Sequence, residues 1–538
     1  MKKTNYINWR LLVVCLCLSL SILAVASKII SVQVFDSNFL QYEGKKRYIK
    51  YKDTNPVRGT IFDRNNFPLA VSVVNYDLYA LGGLNLDRYL KLKDLIAIAD
   101  TKLEDSSFIK KTLLKKNLTI REQAIINRLD FNRLEIEVRH SRHYPLGDQI
   151  APLIGFHGKD RALEGIEKSY DSVLSGTPGK QKYYTNAKQI TISKPIEVER
   201  TFSGKDIKLT IDSTIQFYAY KHLVEAIKDN SAKSGTVLVF DNTSGEILAI
   251  ASYPSYNPNS PDRKIQMNRA LVDSYEMGSV LKPIVFSSAT DKGIINPDSL
   301  MDIPRRLNIG NKIITDTKSY EKLTPKEVIA FSSQVGASKV AMMLGYKNLK
   351  QTYLDFGFSR PISVNFPSSA FGFLKIQENI SEIEIASMGY GYGFEVSPFQ
   401  ITSAYSVFAN KGIFKDFKLI LSDEVPEKRL ISEESARHTL EALQKVVKIG
   451  TGKAAKVKGF NIGGKTGTVH KSIGGGYQED KYRATFVGIV PIENNSLTIF
   501  VSINEPSLNK YSGGAVAAPL FSLIAESSIN HLGYFGNE

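Results

Sequence analysis

Ser279 and Lys282 lie three residues apart in Tyr275-Glu276-Met277-Gly278-Ser279-Val280-Leu281-Lys282-Pro283. That spacing puts both on one face of a helix, where an amine can reach a hydroxyl. Gly278 lets the chain turn sharply into such a helix, and Pro283 is tolerated because it falls in the first turn. The helix is expected to run to about Asp291, where Lys292-Gly293 stops it. A serine at a helix N-terminus sits beside unpaired backbone N–H groups and the positive end of the dipole. These are the conditions for an activated nucleophile with an oxyanion hole. Ser-x-x-Lys alone carries little, because it recurs at Ser107/Lys110, Ser319/Lys322 and Ser507/Lys510. Ser279 is set apart by two further motifs downstream, in order: Ser332-Ser333-Gln334, then Lys465-Thr466-Gly467.

That ordered trio resembles the Ser-x-x-Lys, Ser-x-Asn and Lys-Thr-Gly set of penicillin-binding proteins and class A β-lactamases. In the middle triplet Gln334 stands where the family has Asn, and Met277 stands where it favours Pro. A literal Ser-x-Asn occurs at Ser363-Val364-Asn365, but its setting resembles a different family segment and it reads as a decoy. The resemblance spans about residues 40 to 525. Arg58-Gly59-Thr60-Ile61-Phe62-Asp63-Arg64-Asn65-Asn66, running into Pro68-Leu69-Ala70, resembles the RGxIxDRNGxxLA box of class B penicillin-binding proteins. Asn66 replaces its glycine, and Asn is the residue that best tolerates a left-handed turn. Tyr144-Pro145, Gly155-Phe156, Gly165-Ile166-Glu167 and Leu174-Ser175-Gly176 resemble the rest of that family's N-terminal pedestal. These read as turns and buried charge pairs holding the pedestal together.

The resemblance implies a serine-type D-Ala-D-Ala transpeptidase that cross-links peptidoglycan stem peptides, a division-type (septal) member more than an elongation-type one. It implies that Ser279 forms an acyl-enzyme with release of D-alanine, with Lys282 as general base and Ser332 as proton relay. Gln334 would bond the donor's amide and help fix Lys282. Lys465 would meet the substrate carboxylate, Thr466, Gly467 and Thr468 would bind substrate, and the backbone N–H groups of Ser279 and Thr468 would form the oxyanion hole. β-Lactams would be covalent inhibitors. The alternatives are a catalytically weak or inactive penicillin-binding scaffold or sensor of division, which draws support only from Gln334 and Met277, and a β-lactamase, for which no loop carrying a water-activating carboxylate stands out.

These groups need a frame. Ile207–Asp212 alternates as a strand, and Ser213 is expected to cap a helix to about Ile227. Gly235–Asp241 and Glu246–Ala251 read as strands around an Asn242-Thr243-Ser244-Gly245 turn. Phe460–Ile462 reads as a small strand before Lys465, with further strands over Thr485–Pro491 and Leu497–Ile503 and a closing helix near Ala517–Asn530. Gly467 leaves a strand edge without a side chain, open to a peptide backbone. Residues 101–135 read as helical filler.

Residues 11–27 carry no charge, with Lys2, Lys3 and Arg10 before them and Lys28 after. Their length, about 26 Å as helix, suffices for a single-pass anchor if Lys28 snorkels. The basic flank predicts a cytoplasmic N-terminus with the bulk of the chain outside, and the resemblance implies a bacterial inner membrane, with that bulk facing the periplasm at the septum. Ala24-Val25-Ala26 also imitates a cleavage site, so a removed signal is the rival reading. Both cysteines, Cys15 and Cys17, fall here, so the exported part has no thiol.

At 538 residues and 43% hydrophobic, the chain can bury a large core over two or more domains. Its net charge of +15 lacks basic runs with interleaved aromatics, which argues for anionic lipid or wall polymer over nucleic acid. No phosphate loop or metal-ligand cluster stands out, and no cofactor is expected. The expectation is therefore an α+β multidomain chain. Residues 1–35 form the tail and transmembrane helix, 36–205 a mixed α/β pedestal, and 206–538 a transpeptidase domain of antiparallel sheet flanked by helices. The pedestal shows no polymerase signature, so a multi-spanning glycan polymerase and other division proteins are the expected partners.

Overall fold

The structure, a computed structural model, describes residues 9–538 apart from 81–85, 97, 99–110, 130–133, 159–160, 187–190, 375–379, 474–475, 495, 508, 535 and 537–538. Packing divides the chain into two compact units, Met1–Arg58 with Ser175–Gly204, and Gly59–Leu174 with Lys205–Glu538.

In the first unit a helix over Trp9–Ile30 continues through a π-helical turn, Ser31–Phe35, and a second helix spans Ser37–Tyr48. The Trp9–Phe35 stretch is long and apolar enough to cross a membrane, and none of it is buried. It outruns the charge-free segment because neither Gly nor Pro interrupts the chain before Gly44. Ile49–Thr54, Gly179–Tyr184 and Ile196–Glu199 then form a three-stranded antiparallel sheet.

The second unit is built on a five-stranded antiparallel sheet. The elements around this sheet include, in chain order, α1 (Ser213–Asp229), β1 (Ser234–Asp241), β2 (Glu246–Tyr253), α2 (Lys282–Asp291), α3 (Pro325–Phe331) and α4 (Gln334–Asp355). Next come α5 (Pro398–Ala409), α6 (Glu433–Lys448), β3 (Gly463–Ile473), β4 (Gly476–Val490), β5 (Leu497–Asn504) and α7 (Ala518–His531). The strands run in the order β2-β1-β5-β4-β3, which leaves β3 on an edge. Successive strand residues point to opposite faces, and here both faces are covered. Val237 and Val239 join Leu223 of α1 and Phe521 of α7, while Leu238 and Phe240 join Ile284 of α2, Tyr405 of α5 and Leu443 of α6. Double burial explains why these strands read as continuous apolar runs.

The box at residues 58–70 forms the expected turn. Ile61–Phe62 pairs antiparallel with Pro68–Ala80 and parallel with Ile207–Lys208. The Asp63 carboxylate accepts from the N–H groups of Asn65 and Phe67, both at 2.7 Å, and Asn66 is left-handed at φ 67°. Arg142 donates to Glu167 at 2.7 Å with both side chains buried.

Several local expectations are corrected. The cap of α1 is Asp212, not Ser213, because its carboxylate reaches two orphan N–H groups, those of Thr214 and Ile215. The strand at 207–212 shortens to Ile207–Lys208, beyond which Thr210 donates to the Leu419 carbonyl. Phe460–Ile462 is not a strand. Its partners would include Pro491, which has no N–H, so pairing begins at Gly463 opposite Ile489. The segment at 101–135 is not simply helical. Residues 101–110 lie outside the described residues, Thr112–Lys115 is a strand, Ile120–Arg128 a helix, and Leu134 opens a strand paired with Pro68–Ala80.

Candidate active site

Ser279 lies in a single 3-10 turn, Gly278–Leu281, that leads straight into α2. Gly278 enters the turn at φ +58° and donates its N–H to the Gly391 carbonyl at 3.0 Å. The buried phenol of Tyr405, on α5, donates to the Val280 carbonyl at 2.6 Å. The turn is thus held from both sides. α2 is buried from Lys282 to Ala289, ends at Asp291 as expected, and carries Pro283 in its first turn. The Ser279 side chain is half-buried and takes part in no hydrogen bond among the described residues.

Lys282 and Lys465 converge on Ser332. The Lys282 amine donates to the Ser332 carbonyl at 2.6 Å and to its Oγ at 3.2 Å, and the Lys465 amine donates to the same Oγ at 2.9 Å. Both lysines are fully buried. Desolvation brings the Lys282 amine down to about 7, against a smaller upward pull from Asp316. Lys465 is driven well below the usual lysine range, by burial first and by the neighbouring Lys282 second.

Ser332 joins α3 to α4 in a left-handed conformation, φ 62° and ψ 34°, which is rare outside Gly, Asn and Asp. The surroundings that sustain it include Asp316. Its carboxylate accepts from the Ser333 hydroxyl at 2.5 Å, and from the N–H groups of Gln334 and Val335. Ser333 itself caps α4, accepting from the Gly336 N–H. Gln334 is the first residue of α4. Its side chain is exposed and makes no hydrogen bond among the described residues, so it is Ser332, not Gln334, that holds Lys282 here.

The third group lies within β3. Thr466, Gly467 and Thr468 pair with Phe486, Thr485 and Ala484 of β4. The Thr466 hydroxyl meets Thr451 at 2.7 Å, and that of Thr468 accepts from the Gly513 N–H at 2.9 Å. The space spared by Gly467 is taken by the chain itself. A Cβ there would stand 3.0 Å from the Met277 carbonyl, and one at Gly513 would stand 2.4 Å from the Gly467 carbonyl. The glycine therefore brings the edge strand against the turn that bears Ser279.

The other motif matches fall elsewhere. Ser319 is on an exposed loop, Ser107 and Lys110 lie outside the described residues, and Ser363 donates to the Phe417 carbonyl at 2.7 Å. Asp316, Tyr405 and Gly391 are positions that sequence reasoning missed. A lone loop aspartate and one tyrosine of an apolar helix carry no spacing signal, although Gly391 stands in a visible Gly-Tyr-Gly-Tyr-Gly run.

Residues 235–526 match the penicillin binding protein transpeptidase domain, and residues 53–209 match the penicillin-binding protein dimerisation domain. The chain belongs to the class B penicillin-binding proteins. It is 32% identical to the peptidoglycan D,D-transpeptidase FtsI of Buchnera aphidicola subsp. Schizaphis graminum, over 97% of this chain and 95% of that one. It is also 32% identical to the probable peptidoglycan D,D-transpeptidase PenA of Neisseria meningitidis, over 99% and 94%. A peptidoglycan synthetase from Bifidobacterium adolescentis shares the fold, with a TM-score of 0.74 at 22% identity, over 91% of this chain and 98% of that one.

In this penicillin-binding protein the Gly278–Gly391 contact leaves no room for a side chain. A Cβ on Gly391, at φ +89°, would come within 2.1 Å of the Gly278 carbonyl oxygen. Gly391→Ala is expected to displace the nucleophile turn and slow β-lactam acylation by about tenfold or more, the effect of roughly 1.4 kcal/mol. The check is stopped-flow acylation alongside circular dichroism, which should show an unchanged fold. A wild-type rate would mean that the turn does not depend on this contact.

Proposed function

We propose that this D,D-transpeptidase works through Ser279. The single observation that carries the assignment is the meeting of two buried lysines on the Ser332 hydroxyl, one turn of helix from Ser279. In the neutral form Lys282 uses two N–H groups on Ser332 and keeps its lone pair for the Ser279 proton. Ser279 Oγ then bonds to the carbonyl carbon between the last two D-alanines of a donor stem. The N–H groups of Ser279 and Thr468 receive the oxyanion. Ser332, already accepting from both amines, passes the proton to the leaving nitrogen, the C–N bond breaks and D-alanine departs. The amine of a second stem attacks the Ser279 ester, forms the cross-link and restores the hydroxyl.

Two charged amines cannot sit cheaply on one buried hydroxyl, so the empty site favours neutral lysines. An arriving substrate carboxylate reverses this for Lys465 and draws a proton onto it. That division leaves Lys282 as base and Lys465, with Thr466, Gly467 and Thr468, as the carboxylate's partners. Residues 36–205 serve as the pedestal and 206–538 as the transpeptidase domain. Lys2, Lys3 and Arg10 favour a cytoplasmic N-terminus with the catalytic domain outside. A chain that only cross-links works beside an enzyme that makes glycan strands, and a multi-spanning polymerase at the septum fits the anchored topology.

Fluorescent penicillin tests the assignment. Label should map to Ser279, and Ser279→Ala should abolish it with the fold intact. Because the base must be neutral, the acylation rate should climb with pH and level off above about 7. Label on another serine, or a rate flat across that range, would overturn the roles of Ser279 and Lys282.

Gln334 is the departure from the family pattern, and its exposed amide has no partner among the described residues, which leaves it free for the donor's amide. Gln334→Ala should slow acylation at least about tenfold, roughly 1.4 kcal/mol, while Gln334→Asn should retain or raise the rate. The three rates with one chromogenic penicillin decide the matter. Equal, fast rates would remove Gln334 from the site, and equal, near-zero rates would favour a scaffold.

A further inference from the structure

A cavity of about 240 Å³ opens in the transpeptidase unit, away from the lysine–serine cluster and beside the Ser363-Val364-Asn365 triplet that the catalytic site leaves unused. Its walls include the aromatic rings of Phe356, Phe399 and Phe414 and the side chain of Leu430. The first two are buried. The polar side chains in those walls, other than the exposed Arg360, are satisfied within the protein. The Gln400 amide donates to the carbonyls of Gly357, Arg360 and Phe371 at 3.0, 3.1 and 2.9 Å, and its oxygen accepts from the Ser397 N–H at 3.0 Å. Ser403 donates to the Phe399 carbonyl at 3.1 Å, and Ser363 to that of Phe417.

Asp416 is the exception. Asp416 lines the cavity, and its carboxylate has neither a hydrogen bond nor an ion pair among the described residues. Neighbouring cations are committed elsewhere or stop short. Lys428 pairs with Asp355 at 3.4 Å, Lys415 pairs with Glu427 at 2.7 Å, and the exposed Arg360 does not reach the carboxylate. Burial without a counter-charge raises the Asp416 carboxyl above the usual range. A half-buried carboxylate of that kind costs free energy that a bound cation would recover.

We propose that this cavity is a binding site for a small organic ammonium ion, with its charge on Asp416 and its apolar body among Phe356, Phe399, Phe414 and Leu430. Three features select that chemistry. The wall group without a protein partner among the described residues is an anion, aromatic residues that can attract a cation line the same cavity, and the volume falls below the roughly 300–1,000 Å³ of sites for drug-sized molecules. The site therefore takes a group the size of a single side chain. It is independent of the reaction assigned to Ser279.

The test is saturation-transfer NMR on the full chain in detergent, with 2-phenylethylammonium as probe and neutral 2-phenylethanol as its match. The ammonium should bind saturably and the alcohol at least about tenfold more weakly, since only the ammonium can form a charge-assisted hydrogen bond to Asp416. Asp416→Asn should reduce ammonium binding by a similar factor while fluorescent penicillin still labels the variant, showing that it is folded. Prior acylation of the protein by a β-lactam should leave ammonium binding unchanged. The proposal falls if the wild type binds no ammonium, if alcohol and ammonium bind alike, if Asp416→Asn binds as the wild type does, or if acylation displaces the probe.

Discussion

The burial of Lys282 and Lys465 against one serine hydroxyl is the constraint on which the rest of the domain depends. An ammonium group taken out of water without a counter-ion is costly, and two side by side are costlier still. The fold accepts that cost, and burial brings the Lys282 amine down to about 7. To do so it must exclude water from both sides. α2 is therefore buried along nearly its whole length, although it begins with a lysine and is rich in small polar residues. The left-handed Ser332, placed between two helices and braced through Asp316, gives both amines somewhere to donate.

The edge of the sheet completes the arrangement. β3 brings Lys465 from one side while the 3-10 turn brings Ser279 and the start of α2 brings Lys282 from the other, and their approach is set by backbone against backbone. Gly467 meets the Met277 carbonyl, Gly278 meets Gly391, and the Tyr405 phenol fixes the Val280 carbonyl from below. The elements that do this are themselves fastened into the apolar layers on either face of the sheet. Rigidity is the useful property here, because the proton transfer proposed among Ser279, Lys282 and Ser332 would tolerate little misplacement.

Much of this was legible in the residues. The serine–lysine pair and its helix to Asp291, the Asn242–Gly245 turn and the left-handed Asn66 rest on short-range rules, which suffice for them, while the three motifs in order were legible through the family resemblance. What was not legible depends on distant partners. Asp316 matters only because the chain folds back to set it at the start of α4. The extent of strand at Phe460–Ile462 turned on Pro491, far along the chain and lacking the N–H that pairing needed. Gly467 was legible as a close approach, but the backbone that approaches is the protein's own. The contribution of Gln334 could not be judged from its type alone. The structure shows that the neighbouring Ser332 already does the work of holding Lys282.

The central claim is that Lys282 is a neutral amine at physiological pH because it is buried. NMR of the full chain carrying ¹³C at lysine Cε tests this directly, with the Lys282 signal identified by its absence in Lys282→Ala. The account predicts a titration midpoint near 7 in the ligand-free protein. A midpoint near the ordinary lysine value of about 10.4 would contradict it.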